Sequence, residues 1–343
     1  MVVHLSGARR AAGAFLFAIL GCTGPAGSNQ PPSPDAPAET PPEVEPCSEY
    51  DARVEPVVVF QGPNGLQRML RGLIDEATVS VHITMYQLGD AGVLSSLIAA
   101  AERGVDVRLV LDPDQRINTT PTNRLRSAGA EVIQASASFE YYHPKTILVD
   151  GTQAVVMSAN LNEYSMASER NHGVILRDRW DIEDVHALFE MDSNHDATPA
   201  TSLECTRLIY SPVNSRTRIM NLIASAESEI AVQHLSMTDD EVVRALGVKA
   251  GEGVHVQVLL ADPAWIESNT VSAAELRAAG IEVQFLQAPE NHAKLIVVDG
   301  AAAMVGSQNL SWTSMERNRE VGVVLTDSAA VTQLREWFNA DWN

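Results

Sequence analysis

Basic charge is what this sequence has least of: 24 lysines and arginines stand against 44 aspartates and glutamates, a formal net charge of -20. No basic tail or stripe offsets it. General nucleic-acid affinity depends on basic groups displacing counterions, so a high-affinity nucleic-acid binder is disfavoured. Lysine is scarcer still, with only Lys145, Lys249 and Lys294 in the chain. Long apolar runs are missing too, since nothing beyond the first 22 residues is long enough to cross a bilayer as a helix. His172, His195, His234 and His255 form no recognisable ligand cluster, so neither a metal nor another cofactor is implied. What the chain does have is a 45% hydrophobic content over 343 residues, enough to bury a large core and to exclude disorder throughout.

The N-terminus reads as a targeting segment. Arg9 and Arg10 precede an apolar run from Ala11 to Leu20 that is too short for a mature membrane span, so residues 1–21 are expected to be a signal peptide. Ile19-Leu20-Gly21-Cys22 resembles the lipobox of bacterial lipoproteins, in which the cysteine is acylated; ordinary signal cleavage nearby also fits. Residues 22–50 then carry repeated prolines with Glu39, Glu43 and Glu45, the composition of a solvated, semi-extended linker. Together these features suggest an exported protein of the periplasm, outer membrane or cell surface, held to a membrane through Cys22. Acylation of Cys22 would leave Cys47 and Cys205 as an even pair in an oxidising compartment, where a disulfide between them is expected and two separate thiols are the alternative.

From residue 54 onward, short β-branched runs alternate with amphipathic stretches, and the order repeats. Val79 to Met85 reads as a strand, Val93 to Arg103 as a helix and Val105 to Leu111 as a strand closed by Asp112-Pro113. Ile230 to Leu235, Asp239 to Lys249 and Val254 to Leu260, closed by Asp262-Pro263, repeat that order. So long a period implies two copies of a domain, over residues 51–200 and 201–343. The fold class expected is α/β: two halves related by a pseudo-twofold, each a mixed, mostly parallel sheet flanked by helices, forming a monomer with an internal pseudo-dimer.

Near the end of each half stand His143-Pro-Lys145-Thr-Ile-Leu-Val-Asp150-Gly151 and His292-Ala-Lys294-Leu-Ile-Val-Val-Asp299-Gly300. Ser158-Ala-Asn160 and Ser307-Gln-Asn309 follow at equal distance. Residues two apart on a strand share a face, so each histidine lies beside a lysine, and the pseudo-twofold brings both sets to one seam. Imidazoles beside ammonium and amide groups suit phosphate chemistry: the cations and amides stabilise non-bridging oxygens, one histidine attacks phosphorus, and the other protonates the leaving oxygen. Two of only three lysines fall in these motifs, which argues against coincidence. Asp150 and Asp299 open the turn after the strand and read as structural.

These paired segments resemble the H-x-K-x4-D signature with a downstream G-S-x-N of the phospholipase D superfamily, and the resemblance extends over residues 54–343. It implies a covalent phosphohistidine on His143 or His292 with the other acting as acid and then base. It implies too that Lys145, Lys294, Asn160 and Asn309 hold phosphate, supported by Ser158 and Ser307. Met157 stands where the family usually has glycine before Ser158, a departure expected to crowd that turn and either narrow the pocket or weaken that half. Glu320 occupies the position of a carboxylate that orients imidazole, whereas its counterpart in the first half is Asn171. A carboxylate behind His292 and an amide behind His143 suggest His143 as nucleophile and His292 as acid.

Arg170 and Arg319 extend the positive pocket or pair with acids, and both readings remain open. Phe139, Tyr141, Tyr142 and Trp312 line an entrance or, as the favoured reading, simply pack. The expected activity is phosphodiester hydrolysis, or transfer to an alcohol, on phospholipids. A metal-independent nuclease and a weakly active phosphate- or lipid-binding module are the alternatives. Cardiolipin synthesis is less attractive, because no membrane-spanning helices accompany the domain.

Overall fold

The computed structural model describes residues 53–196, 203 and 205–343. The expected signal peptide, Cys22, the linker and Cys47 lie outside the described residues. In chain order the first half comprises β1 (Val58–Gln61), α1 (Leu66–Glu76), β2 (Ser80–Met85), α2 (Ala91–Glu102), β3 (Asp106–Leu111), α3 (Thr119–Ser127), β4 (Glu131–Gln134), β5 (Lys145–Val149), β6 (Gln153–Met157), α4 (Glu163–Ala167), β7 (Glu169–Arg170), β8 (His172–Leu176) and α5 (Arg179–Asn194). The second repeats the order: β9 (Leu208–Ser211), α6 (Ser215–Ala224), β10 (Glu229–His234), α7 (Asp240–Gly251), β11 (His255–Ala261), α8 (Asn269–Ala278), β12 (Glu282–Leu286), β13 (Glu290–Asn291), β14 (Lys294–Val298), β15 (Ala302–Gly306), α9 (Trp312–Glu316), β16 (Glu320–Leu325) and α10 (Ser328–Trp342).

Each half builds one seven-stranded sheet, in the orders β1-β8-β6-β5-β2-β3-β4 and β12-β11-β10-β14-β15-β16-β9. The two-half α/β architecture is the expected one, but within these two sheets parallel pairing is confined to β2-β3-β4 and to β10-β11-β12. The sheets are therefore mixed and not mostly parallel. The reason is local: β5 and β14 are each followed by a tight hairpin, which adds antiparallel partners where the helix alternation had implied crossovers. Asp150-Gly151 and Asp299-Gly300 all have positive φ, between 52° and 59°, and these left-handed pairs turn the chain in the three-residue connections that follow β5 and β14. The Asp150 carboxylate accepts from the backbone N–H groups of Thr78, Val79 and Ser80. Asp299 does the same for Glu227, Ser228 and Glu229. Both aspartates thus tie the hairpin to the start of the neighbouring strand, at the end of β5 and β14 opposite to the lysines.

Alternation along the strands divides the apolar residues between outer and shared cores. Val81, Ile83 and Met85 of β2 face Leu70, Ile74, Leu94 and Leu97 of α1 and α2, and Ile230 and Val232 of β10 face Ile219 and Leu246 of α6 and α7. The opposite faces meet: Leu148, Val156 and Val174 pack with Leu295, Val305 and Val323, joined by Val185 and Leu188 of α5 and Leu334 and Phe338 of α10. Truncating one of these leucines to alanine costs about 2–5 kcal/mol. The two halves consequently share one interior, and the residues at its edge are held rigidly across the seam.

Candidate active site

Lys145 and Lys294 head β5 and β14, and each is fully buried. Each ammonium donates to the carbonyl of the histidine two residues before it, Lys145 Nζ to His143 O at 2.8 Å and Lys294 Nζ to His292 O at 2.9 Å. Asn160 and Asn309 follow β6 and β15, and the Oδ1 atom of each is buried without a hydrogen-bond partner among the described residues. Such unsatisfied amides are rare in folded proteins and concentrate where a ligand completes them.

The histidines are fixed by backbone pairing between halves. His143 N donates to Arg319 O at 2.8 Å and Arg319 N to Tyr141 O at 2.9 Å, while His292 N donates to Arg170 O at 2.9 Å. β7 and β13, one from each half, form a short parallel ladder. This exchange determines what lies behind each ring. Glu320 Oε2 sits 2.7 Å from His143 Nδ1, and Asn171 Oδ1 sits 2.9 Å from His292 Nδ1. The expectation of Glu320 behind His292 is therefore corrected: the carboxylate serves the histidine of the opposite half. The polarity argument behind the expected roles falls with it. Ser307 Oγ donates to Glu320 Oε2 at 2.6 Å and Ser158 Oγ to Asn171 Oδ1 at 2.8 Å, so both serines act one step behind the histidines.

Electrostatics at the seam are dominated by burial. Burial, with Lys145 and Lys294 close by, lowers His143 to about 4 despite the opposing pull of Glu320. Burial followed by the two lysines also lowers His292 well below the ordinary imidazole range. Lys294 falls to about 7 through burial, against the attraction of Glu169 and Glu320, and Lys145 is lowered well below its ordinary value for the same first reason. Burial works to raise the Glu320 carboxyl, but His143, Lys145 and a hydrogen bond from Asn318 hold it below the usual carboxylate range. An anionic phosphodiester would relieve this arrangement of close cations.

Three expectations resolve in detail. Met157 points into the first-half core instead of the pocket, and space for it comes from Gly173 on the paired strand, where an added Cβ would lie 2.7 Å from Met157 Cβ. The expected narrowing does not arise. Arg170 donates to Asp341 and to Gly62 O, and Arg319 donates to Asp192 and Ser211 O, so both arginines pair with acids and carbonyls. Phe139 and Tyr142 pack together with Phe189, whereas Tyr141 and Trp312 remain 45% and 54% exposed.

Several site residues escaped the sequence reading. Tyr86 presents its ring to His143 at 4.6 Å between centroids, with Lys145 Nζ 5.2 Å above it. Ser314 Oγ donates to Glu320 Oε1 at 2.7 Å. Glu169 Oε2 lies 3.7 Å from His292 Nδ1. Glu169 and Ser314 were findable, since the repeat aligns Ser165 with Ser314 and Glu169 with Asn318; nothing in the repeat marks Tyr86, whose counterpart is Leu235. Away from the seam, His82, His186 and Glu190 gather metal-ligand atoms within 4.8 Å, but Arg108 already holds Glu190 at 2.7 Å.

The family model described as "Cardiolipin synthase, PLD-like domain" matches residues 70–193 and again 219–342. The chain belongs to this family, and with it to the phospholipase D superfamily. A probable cardiolipin synthase of Bacillus subtilis is 22% identical over 306 residues, covering 76% of this chain and 61% of that protein. A cardiolipin synthase of Oceanobacillus iheyensis is 26% identical over 311 residues, covering 78% and 64%. The chain thus spans less than two thirds of the length of these two relatives. Phosphatidylserine synthase of Haemophilus influenzae superposes with a TM-score of 0.62 at 12% identity, covering 83% of this chain and 85% of that one. Polyphosphate kinase of Porphyromonas gingivalis gives 0.65 at 16%, covering 91% and 56%. Both likenesses are of fold. Among the described residues no helix is long and apolar enough to cross a membrane.

Proposed function

We propose that this phospholipase D-type chain cleaves a phospholipid phosphodiester through a phosphohistidine on His143 and passes the phosphatidyl group to an alcohol or to water, with His292 as acid and then base. The observation that carries this reading is the Glu320–His143 contact of 2.7 Å beside two buried lysines. When His143 Nε2 bonds to phosphorus the ring becomes cationic, and a carboxylate on Nδ1 stabilises that charge as it forms. The nucleophile assignment thus stands on a reason different from the one the sequence suggested. Lys145, Lys294, Asn160 and Asn309 hold the phosphoryl oxygens, His292 gives its proton to the leaving alkoxide, and the same nitrogen then takes one from the incoming alcohol or water. Alcohol transfer is favoured over simple hydrolysis by the family and by the relatives named cardiolipin synthase. A nuclease role is disfavoured by the net charge of -20.

The test is chemical trapping. His292→Ala keeps the nucleophile, so a nitrophenyl phosphodiester, whose leaving group needs no proton, should label residue 143 and the adduct should persist. His143→Ala should neither turn over nor label. An adduct at residue 292 in the unmodified protein reverses the assignment, and full dependence on added divalent metal removes it. Incubation with phosphatidylglycerol then separates transfer, which releases glycerol and cardiolipin, from hydrolysis, which releases phosphatidic acid.

Export and tethering through Cys22 form part of the same proposal. Replacing Cys22 with alanine and removing residues 1–21 should give a soluble protein with cooperative melting, because the linker contributes little to the core. A Cys47–Cys205 disulfide would stabilise by roughly 3–5 kcal/mol. Two alkylatable thiols in the denatured, unreduced protein would rule that bond out.

A further inference from the structure

At the offset of 149 that relates the two halves, Glu169-Arg170-Asn171 lies over Asn318-Arg319-Glu320. The same three residue types occur with carboxylate and amide exchanged. In the second half the carboxylate takes the place behind the opposite histidine: Glu320 accepts from His143, Ser307 and Ser314 at 2.6–2.7 Å and from Asn318 Nδ2 at 2.9 Å. In the first half the amide takes it. Asn171 Oδ1 accepts from Ser158 and faces His292 Nδ1, and Ser165, the counterpart of Ser314, turns instead to the Glu169 carboxylate. Glu169 is 5% exposed, and its Oε2 lies 3.7 Å from His292 Nδ1. Neither half has lost its acid. One has moved it two residues upstream, out of direct contact with the ring it faces.

The two positions do different things to an imidazole. A carboxylate hydrogen-bonded to Nδ1 forms a tight charge pair and stabilises a lasting positive ring, as a phosphohistidine requires. An amide oxygen fixes the same Nδ1–H and the ring orientation but carries no charge. A buried carboxylate one step further back still attracts a proton to the ring without binding it as firmly.

We propose that Glu169 is the positioning residue of the acid-side histidine: with Asn171 interposed, it supplies the charge that brings a proton to His292 while leaving the proton on Nε2 transferable to the leaving oxygen. In that step the Nε2–H bond breaks and the O–H bond forms, and the proton is recovered from the alcohol or water that later attacks the phosphohistidine. The proposal rests on His292 being the acid, as argued above.

Two variants of the full chain test it, Glu169→Gln and the exchange Glu169→Asn with Asn171→Glu. Glu169→Gln should slow a diester with an alkoxide leaving group by about tenfold or more, and a nitrophenyl diester about twofold or less, because only the first needs an acid. With inorganic phosphate as the probe, nitrogen NMR of the His292 ring should show its protonation midpoint falling in Glu169→Gln and rising in the exchange variant, where the carboxylate meets Nδ1 directly. Equal slowing of both diesters, or an unmoved His292 midpoint, overturns the proposal. An adduct found away from residue 143 would defeat the functional reading instead, while the His292 titration still decides where the charge acts.

Discussion

Glu320 of the second half lies 2.7 Å from His143 Nδ1 of the first, while its other oxygen accepts from Ser314 and Asn318. With four donors converging on one buried carboxylate, the ring of His143 has a single tautomer and a single orientation available. Replacing Glu320 with glutamine preserves the shape and removes the charge that offsets a cationic ring. We expect kcat to fall about 10²–10⁴-fold with KM changed little, as for carboxylates behind other catalytic histidines. A loss under about fivefold in steady-state assays would mean that the contact only packs.

The acidity of the site sets the pH range of turnover. His143 must be neutral to attack, and burial lowers it to about 4; Lys294 must be charged to hold phosphate, and burial brings it to about 7. Proton uptake by His292, which burial also lowers, favours acid conditions. The profile of kcat/KM should therefore lie on the acid side of neutrality, limited below by protonation of His143 near pH 4 and falling as the pH rises, first as His292 and then as Lys294 loses its proton. A rate that stays flat up to pH 9, or an acid limb at the ordinary histidine value, contradicts the arrangement.

Stability should move against activity at the same lysine. The folded value of Lys294, about 7, lies below the ordinary 10.5, so the unfolded chain binds the extra proton between those values. Its destabilisation is absent above about pH 10.5, grows as the pH falls towards 7, and is constant below that. Lys294→Met should consequently stabilise the fold at pH 7 by on the order of 1–2 kcal/mol after losing the bond to His292 O, seen as a higher Tm, and abolish turnover. The gain should vanish near pH 10. A lower Tm at pH 7, measured by calorimetry, would show that the ammonium stabilises the fold.

Why the repeat was legible and the crossing was not has a physical answer. Hydrophobic periodicity is local, so β2, α2, β3 and their counterparts β10, α7 and β11 could be placed within a few residues, and the paired His-x-Lys strands followed from alternation. The partner of His143 depends on a backbone bond to Arg319, 176 positions away, and no local pattern encodes which of two symmetric strands a loop will join. Met157 carries the same lesson. Its cost was judged from its own turn, whereas the space for it comes from Gly173 on the next strand. The exchange of Glu169 and Asn171 against Asn318 and Glu320 was visible at the repeat offset, but only the contact of Ser165 with Glu169 gives it meaning.

A buried brace lies behind the site. Asp192, near the end of α5, accepts from Tyr142 Oη at 2.9 Å and from Arg319 Nε at 3.0 Å, and these two partners immediately precede His143 and Glu320 in the chain. Arg319 is 1% exposed, lying near the rings of Phe139 and Tyr210. Burial raises the Asp192 carboxyl, and Arg319 is the main group opposing that rise. Arg319→Met would fill similar volume but leave the carboxylate buried without its cation, a change that costs about 3–5 kcal/mol when one partner of a buried pair is removed. Adding Asp192→Asn to it removes the stranded charge, so the double variant should recover most of that loss in urea unfolding. Turnover should not recover with it, because neither Tyr142 nor residue 319 regains a charged anchor. Recovery of both together would mean that the pair contributes stability alone and that His143 and Glu320 meet without its help.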